Sequence, residues 1–452
     1  MKNIKDTIRE FSRYPSAIFG AILILLLFGL AVFAVIKIPY KEAVKLWRGG
    51  EEYVYKNPKN VPPEWYNYFT KKDLPISVAV VAGEDEDFTK LVTPGESSDT
   101  IDYEYTFDFQ YDDYPQELFL YIQSDHQVKN PFLSVVLETP GGEEIKIVDF
   151  GPSNKETYRF SQDEKLTTRL RRLYGREVPV VQGLFSVIKS DPLEINKGLY
   201  KLKITATTFE KDNDVRIEFV SHGLVFGMFG TDHMRRDLTT PILWGAPIAL
   251  AFGLLAAAGT SIISMLIAAV GAWFGGWIDE LIQRITEINL VLPFLSILIM
   301  IGTFYSRSIW VILGATIALS IFTGAIKTDR AIFMQVKEST YIEAAKAYGA
   351  GNGRIIVKYL VPRIIPLLIP GLVSAIPSYV FLEASLALLG LGDPTLPTWG
   401  KVINDAQANG ALYLGQFYWI LEPAVLLMIT GLGFAMFGFA LDRIFNPRLR
   451  GM

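Results

Sequence analysis

The chain alternates between long apolar runs and one long polar interval. A helix rises about 1.5 Å per residue, so about 20 apolar residues are needed to cross a hydrocarbon core about 30 Å thick. Six runs reach or approach this length, and they cover residues 16–36, 241–272, 288–302, 309–326, 364–389 and 418–441. This pattern predicts an α-helical polytopic membrane protein with six transmembrane helices.

The polar interval, residues 37–235, contains no run long enough to span a membrane. Seven of its segments alternate in polarity or are rich in β-branched and aromatic residues, which is typical of strands. They are PISVAVVA, IDYEYTFDFQY, ELFLYIQS, FLSVVLET, EEIKIVDF, GLYKLKITATTF and DVRIEFV. We therefore expect a β-rich, sandwich-like insert between the first and second helices. The domains would be 1–36, 37–235 and a five-helix core at 236–452.

Charge orients this arrangement across the membrane. Residues 37–235 hold 33 acidic and 25 basic side chains, whereas the whole chain has 47 and 43. The remaining basic residues concentrate in the N-terminal tail, in the loop between the fourth and fifth runs, and at the C-terminal end. Short basic loops and tails stay on the cytoplasmic side, so both termini are expected in the cytoplasm and the insert outside it. The first run exceeds the 7 to 15 residues of a signal-peptide core, which favours an uncleaved anchor.

Composition excludes several kinds of chemistry. The chain has no cysteine, and its three histidines, His126, His222 and His233, lack metal-ligand spacing. The phosphate-binding pattern G-x-x-x-x-G-K-[ST] is also absent. No catalytic residue, metal ligand or ATP site is expected in this chain, and nothing in it indicates a nucleic-acid partner.

One cytoplasmic stretch, STYIEAAKAYGAGNGRIIVKYLVP at residues 339–362, is patterned as a broken pair of short helices. Thr340 and Glu343 have capping-box spacing, which predicts that Thr340 caps the first helix. One face of that helix would carry Tyr341, Ala344, Ala345 and Tyr348.

The end of this helix is also marked in the sequence. Gly349 is placed to turn left-handed, and Asn352 is placed to cap the second helix, which Pro362 and Pro366 would interrupt. From spacing alone the stretch is either a plain amphipathic connector or a docking elbow, with Glu343 and Lys346 at its edge for charged contacts. A phosphate loop at GAGNG is the weakest reading.

The segment EAAKAYG, nine residues, then YLVP resembles the EAA loop of permease subunits in binding-protein-dependent ABC importers. Tyr359 and Val361 replace the usual isoleucine and leucine. In that family the loop docks in a groove of a cytoplasmic ATPase and transmits its closure. The resemblance implies that ATPase coupling rests on Glu343, Ala344, Ala345, Lys346, Gly349 and Pro362.

Further stretches resemble the second permease subunit of the dipeptide and oligopeptide type. FGTDHMRRDLTTPILWGAPIAL is similar to its motif before the second span, with Arg235 in place of glycine and Pro247 in place of arginine. The motif positions that match are Gly230, Thr231, Asp232, Arg236 and Asp237. LEASLALLGLGDPTLPTWGKVI and LDRIFNPRLR are similar to two more of its segments.

The resemblance implies a cell-membrane permease that forms half of a translocation path for peptides or oligosaccharides and is not an enzyme. Its partners would be a second homologous permease subunit, two ABC ATPase subunits, an extracellular substrate-binding protein and membrane lipid. ATP and Mg²⁺ would be used by the ATPase subunits. Two alternatives stay open: a membrane-anchored ligand receptor or sensor, and an ion-coupled secondary transporter.

One carboxylate, Glu383, lies inside the fifth apolar run, where a central acid costs about 2.5 to 3.5 kcal/mol on insertion scales. A structural hydrogen bond is the favoured role, and lining the substrate path or coupling to protons are the alternatives. Pro377 in the same run favours a kinked, cavity-lining helix.

Overall fold

The structure of the chain, a computed structural model, describes residues 14–50, 54–95, 98–210 and 213–445. The basic N-terminal tail and the terminal NPRLRGM, which contribute to the charge argument, lie outside the described residues. The chain divides into a helical unit, residues 1–48 with 240–452, and a second unit, Gly49–Thr239.

The helical unit is built mainly of long apolar helices. Its helices are α1 (Pro15–Lys37), α2 (Tyr40–Arg48), α5 (Thr239–Phe274), α6 (Gly276–Val291), α7 (Phe294–Phe304), α8 (Ile309–Ile321), α9 (Gly324–Lys337), α10 (Thr340–Ala347), α11 (Asn352–Ile355), α12 (Val361–Leu386), α13 (Trp399–Ala408) and α14 (Tyr418–Phe445). Two π turns, Ile356–Leu360 and Ala387–Leu391, flank α12.

Among the described residues, four helical stretches are long and apolar enough to cross a membrane by themselves. They are Pro15–Lys37, Thr239–Phe274, Asn352–Leu391 and Tyr418–Ile444. Two further helix pairs qualify only together, α6 with α7 at 77° and α8 with α9 at 49°. These findings define a polytopic α-helical membrane protein with four such helices, or six if each bent pair is one span.

The predicted uninterrupted run at 288–302 is wrong as a single helix. It contains the break between α6 and α7, where Leu292 is extended with ψ at 136° and Pro293 caps the next helix. A proline disfavours helical backbone at the residue before it, so apolarity alone misjudged this segment.

The first helix packs closely against the last. A Cβ atom on Gly20 in α1 would lie 2.8 Å from the backbone nitrogen of Phe437 in α14. Only a glycine allows this approach, and small residues at helix crossings are a common means of packing in membranes. The two helices at opposite ends of the chain therefore belong to one bundle.

Two antiparallel sheets form the second unit. The strands are β1 (Val78–Val81), β2 (Phe88–Thr93), β3 (Asp99–Phe109), β4 (Glu117–Ser124), β5 (Phe132–Glu138), β6 (Glu144–Phe150), β7 (Lys155–Arg159), β8 (Gly198–Thr208) and β9 (Val215–His222). The four-stranded sheet has the order β1-β9-β4-β7 and the five-stranded sheet the order β2-β3-β8-β5-β6. Helices α3 (Glu164–Tyr174) and α4 (Val180–Leu184) join this unit.

The β-rich prediction is confirmed, because all seven predicted segments contain strands. One core cluster takes side chains from both sheets, among them Leu120 of β4, Phe219 of β9 and Ile204 of β8. Strands β2 and β7 were missed. Both are edge strands, and β7, with the sequence KETYR, has no buried residue to mark it.

The first boundary of the insert lies further along the chain than the prediction of 36/37. Helix α2 groups with the helical unit. Two contacts hold the start of α2. Trp244 Nε1 donates to the carbonyl of Ile38 at 3.1 Å, and the rings of Tyr40 and Trp244 lie 5.7 Å apart. The second boundary falls after Thr239 rather than at 235/236.

Candidate functional site

The first helix of the elbow at residues 339–362, α10, begins one residue earlier than its capping pattern indicated. The N-cap is Ser339, and no side chain accepts a capping hydrogen bond there. The predicted Thr340–Glu343 capping box is therefore wrong, because adjacent serine and threonine both fit the cap position. Asn352 is likewise the first residue of α11 and not its cap, which is Gly351.

The end of α10 is formed as predicted. Gly349 has φ at +77°, its N–H donates to the carbonyl of Lys346 at 2.9 Å, and the N–H of Ala350 donates to the carbonyl of Ala345 at 3.0 Å. These two bonds are the pair that closes a helix through a left-handed glycine. Since nothing lies within 4 Å of a Cβ built on Gly349, backbone conformation and not space requires the glycine.

The face that α10 presents differs from the prediction. Ile342 and Ala345 are buried, whereas Tyr341, Ala344 and Tyr348 are exposed. Ala345 was assigned to the docking face, but it packs inward because Ile342, the larger apolar residue, sets which side faces the bundle. We call the exposed set of Tyr341, Glu343, Ala344, Ala347 and Tyr348 the elbow face.

Beneath the elbow lies a cluster of buried apolar side chains from several elements. Ile342 joins Trp273 of α5, Phe333 of α9, and Leu360 and Ile364 near the start of α12 in this cluster. A helix of eight residues is too short to be stable alone, so this packing holds it in position.

Two lysines, one at the end of α9 and one in the elbow, contact the end of α5. Lys337 Nζ donates to the carbonyls of Ala272 at 3.0 Å and Trp273 at 2.9 Å, where a cation is favoured by the helix dipole. The ammonium of Lys346 lies 4.9 Å from the centroid of the Trp273 ring. Lys346, expected at the edge for charged contacts, is thus engaged within the chain.

An ion pair that sequence reasoning missed joins α6 to α9. Arg330 donates from Nε to Asp279 Oδ1 at 2.6 Å and from Nη2 to the other carboxylate oxygen. Such a paired contact fixes geometry as well as charge. The sequence carried no signal that selects this pair, because other charged residues flank both positions, among them Glu280 and Asp329.

Pro362 follows the π turn and stands in the first turn of α12. The predicted interruption at Pro362 and Pro366 is wrong, since α12 continues to Leu386 through three internal prolines. The π turn shifts the hydrogen-bond register just before Pro362, so the missing N–H of that residue leaves the helix axis unbroken.

Glu383 and Pro377 are both buried in α12. Glu383 neighbours Thr398, whose hydroxyl accepts from the backbone nitrogen of Lys401 at 3.2 Å. The structural interpretation of Glu383 stays a prediction. A contribution of Glu383 or Pro377 to a substrate path stays a prediction.

The first residues of α13, which follow Thr398, pack closely against α5 and α12. Trp399 Nε1 donates to the carbonyl of Ile242 in α5 at 3.0 Å. A Cβ on Gly245 would lie 2.2 Å from the Trp399 ring, and a Cβ on Gly400 would lie 2.6 Å from the Cα of Ala384. The residue types of the TWG segment are thus set by close contact.

The motif before α5 forms a closed loop. Asp232 is fully buried, and its carboxylate accepts from Arg236 Nε at 2.6 Å and from the backbone nitrogens of Met234 and Arg236 at 2.8 and 2.9 Å. Gly230 has φ at +71°. The carboxylate of Asp237 accepts from the Thr239 nitrogen at 2.8 Å.

Thr231 ties the same loop to an earlier part of the second unit. Its N–H donates to the carbonyl of Val61 at 2.9 Å, and its hydroxyl accepts from the Val61 nitrogen at 3.3 Å. The five motif residues therefore act together on the conformation of this loop.

Arg235, which replaces the usual glycine, has φ at +63°. That left-handed conformation accounts for glycine at this position in the resembling family, because a side chain there is strained.

Comparison with known proteins agrees with this architecture. Residues 260–451 match the family described as binding-protein-dependent transport system inner membrane component. The dipeptide transport system permease protein DppC of Alkalihalophilus pseudofirmus is 31% identical over 226 residues, 49% of this chain and 72% of that protein. DppC of Bacillus subtilis is 30% identical, covering 49% of this chain and 69% of that protein.

The oligopeptide transport system permease protein OppC of Bacillus subtilis is 30% identical, covering 49% of this chain and 72% of that protein. The chain belongs to the family of inner membrane components of binding-protein-dependent transport systems. It is a permease subunit and not an enzyme, as predicted. This membership favours the importer over the receptor and ion-coupled alternatives, while the insert lies outside the matched residues.

Proposed function

We propose that the chain is one of two homologous permease subunits of an ATP-driven peptide importer. Two cytoplasmic ATPase subunits and an extracellular binding protein complete the assembly, with ATP and Mg²⁺ held by the ATPases. The names of its relatives, dipeptide and oligopeptide permeases, support peptides over oligosaccharides as substrate.

In this proposal the chain crosses the membrane six times, each bent helix pair counting as one span. Both termini and the elbow lie in the cytoplasm and the β-rich insert lies outside. The basic residues near the elbow support this orientation.

The single observation that carries the coupling role is the two-sided construction of α10. On its inner side Ile342 is buried against α5, α9 and the start of α12, and Ala345 is also buried. Its outer side, the elbow face, leaves Tyr341 and Tyr348 exposed around Ala344. A helix held rigidly from behind transmits a push on its free face to the spans attached at both ends.

Substitution of Ala344 tests this role. Ala344→Trp adds bulk on the elbow face without entering the buried cluster, so we expect at least a tenfold loss of ATPase co-purification and of peptide uptake. The amount of folded chain in the membrane should stay unchanged.

Ala408→Trp is the matched control, because Ala408 is also exposed and also lies in a short helix, α13. It should leave co-purification at the wild-type level. Wild-type ATPase binding and uptake in the Ala344→Trp variant would refute docking through the elbow face.

A further inference from the structure

The outer face of the four-stranded sheet in the insert carries a cleft that the transport role does not use. Side chains alternate along β4, so Leu118, Leu120 and Ile122 point into the core. Phe119 and Tyr121 point to the opposite face. These two side chains would be exposed to solvent if nothing lay over this face of the sheet.

The strand register places a defined set of neighbours on that face. Phe119 pairs with Arg159 of β7, and Tyr121 pairs with Thr157 of β7 and Glu218 of β9. A cavity of about 860 Å³ opens over these residues, walled on one side by Tyr55 and Arg235. Its volume lies within the range of about 300 to 1,000 Å³ that is usual for small-ligand pockets.

Two guanidinium groups converge on the ring of Phe119. The central carbons of the Arg159 and Arg235 guanidiniums lie 5.6 and 5.9 Å from its centroid. Aromatic faces attract guanidinium groups and hold them in place. The ring therefore positions two cations at one end of the cleft.

Arg235 is held there by neutral partners. Its Nη1 donates to the carbonyl of Asn57 at 3.2 Å and to His222 Nδ1 at 3.0 Å. Burial lowers the pKa of His222 to about 4, so the imidazole is neutral near pH 7. No described carboxylate forms an ion pair with Arg235, and its charge is left for a ligand.

Two described acids beside Phe119 and Tyr121 already have partners. Glu117 accepts from Arg159 Nε at 2.8 Å and from the Ser161 hydroxyl. Glu218 is bound by Lys56 and by the Tyr55 hydroxyl, the latter at 2.9 Å. Among the described lining residues the cations are Lys155, Arg159, Arg216 and Arg235, and the acids are Glu156 and Glu218. Arg159 is also paired with Glu117, and Arg216 with Glu84 at 2.9 Å, so Lys155 and Arg235 are the lining cations for which no ion pair is described. This cationic lining occurs within an insert that has an overall acidic excess.

The backbone at Arg235 adds a second indication. An L-residue is strained in the left-handed region, whereas glycine would occupy φ of +63° without that strain. The arginine brings a guanidinium to the cleft at the expense of backbone strain. Strained residues are concentrated where a side chain serves a ligand or a mechanism.

We propose that this cleft binds a short peptide through its C-terminal carboxylate, which Arg235 and Arg159 hold above Phe119. Guanidinium groups match a carboxylate with two parallel hydrogen bonds, and Tyr55 and Tyr121, whose ring centroids lie 4.6 Å apart, provide an apolar wall for the peptide. The choice of a peptide over another organic carboxylate rests on the proposed function; the carboxylate site itself does not.

The test uses the full-length chain in nanodiscs, without partner subunits or ATP. Calorimetric titration compares the peptide Ala-Ala-Phe with its C-terminal amide and with inorganic phosphate. We expect the free acid to bind at least tenfold more tightly than the amide, and phosphate to compete weakly. Equal affinity for acid and amide, or phosphate binding as tight as that of the peptide, would overturn the proposal.

Arg235→Gly removes the guanidinium and suits the left-handed backbone, and this relief of strain should offset the loss of the hydrogen bonds to Asn57 and His222, so the variant should still fold. Its affinity for Ala-Ala-Phe should fall at least tenfold. Arg171→Gln is the control, because Arg171 is an exposed arginine on α3, away from the cleft. Unchanged affinity of the Arg235→Gly variant for the peptide would refute the proposed carboxylate site.

The outcome is separable from that of the transport proposal. Peptide uptake by the assembled importer with no peptide binding to this chain would refute the cleft alone. Binding here without any uptake would leave the cleft standing and remove the importer function.

Discussion

The two units of the chain are stabilised by different kinds of contact. In the helical unit, close packing at glycines is the main feature: Gly245 and Gly400 let Trp399 and Ala384 approach to distances that a methyl group would prevent. In the insert, buried polar side chains are paired: His222 and Glu117 have hydrogen-bond partners, and Glu218 accepts from the Tyr55 hydroxyl. We therefore expect the stability of the helical unit to be sensitive to added side-chain volume, and the stability of the insert to be sensitive to protonation.

The largest expected effect concerns pH and the insert. The pKa of His222 falls from 6.5 to about 4 on folding, chiefly because it is buried, so the unfolded chain binds the proton more readily. Stability is therefore fully present above pH 6.5 and is lost as the pH falls toward 4. At about 1.4 kcal/mol per pKa unit, the loss is about 3 kcal/mol.

Hydrogen exchange of the β4 and β9 amides in the full chain, corrected for intrinsic rates, measures this loss. His222→Gln can still donate to the Tyr55 carbonyl and accept from Arg235, and it should flatten the pH dependence. Amides of the helical unit serve as the internal control. An equal pH response in both units would contradict the comparison.

Added volume should affect the helical unit next most strongly. Gly400→Ala places a methyl group 2.6 Å from the Ala384 Cα and 2.8 Å from its carbonyl oxygen, so helix α13 must move. Overpacking of this kind costs about 1 to 3 kcal/mol. The free energy of unfolding in bicelles titrated with SDS is the measurement.

Gly371→Ala is the matched control, since nothing lies within 4 Å of a Cβ at that helical position. It should be neutral or slightly stabilising because alanine has the higher helix propensity. Equal destabilisation by both variants would mean that close packing at α13 is not what requires glycine.

The smallest effect is expected at the elbow, where the cost of a substitution comes from backbone conformation and not from added volume or from charge. Gly349→Ala should cost about 1 kcal/mol, because φ of +77° disfavours a side chain. Gly351→Ala should cost little, since its φ is −71° and its Cβ would also be unobstructed. Local hydrogen exchange of α10 compares the two, and equal effects would rule out the conformational explanation.

Sequence reasoning succeeded where the signal was local. The left-handed turn at Gly349 needs only the backbone preference of glycine, and the core strands repeat apolar residues with period two. It failed at β7, whose polar sequence becomes a strand only because β4 offers it hydrogen bonds. It also assigned Ala345 to the outer face, because spacing along a helix does not say which side meets the bundle.

The apolar helices, the β-rich insert and the EAA-like elbow could be predicted because periodicity, turn residues and a spaced motif act within short stretches of chain. Three contacts became visible only in the folded chain: Lys337 binds the end of α5, Asp279 pairs with Arg330, and Arg159 and Arg235 meet over Phe119. These contacts join residues about 50 or more positions apart, and no local pattern records which distant side chains folding will bring together.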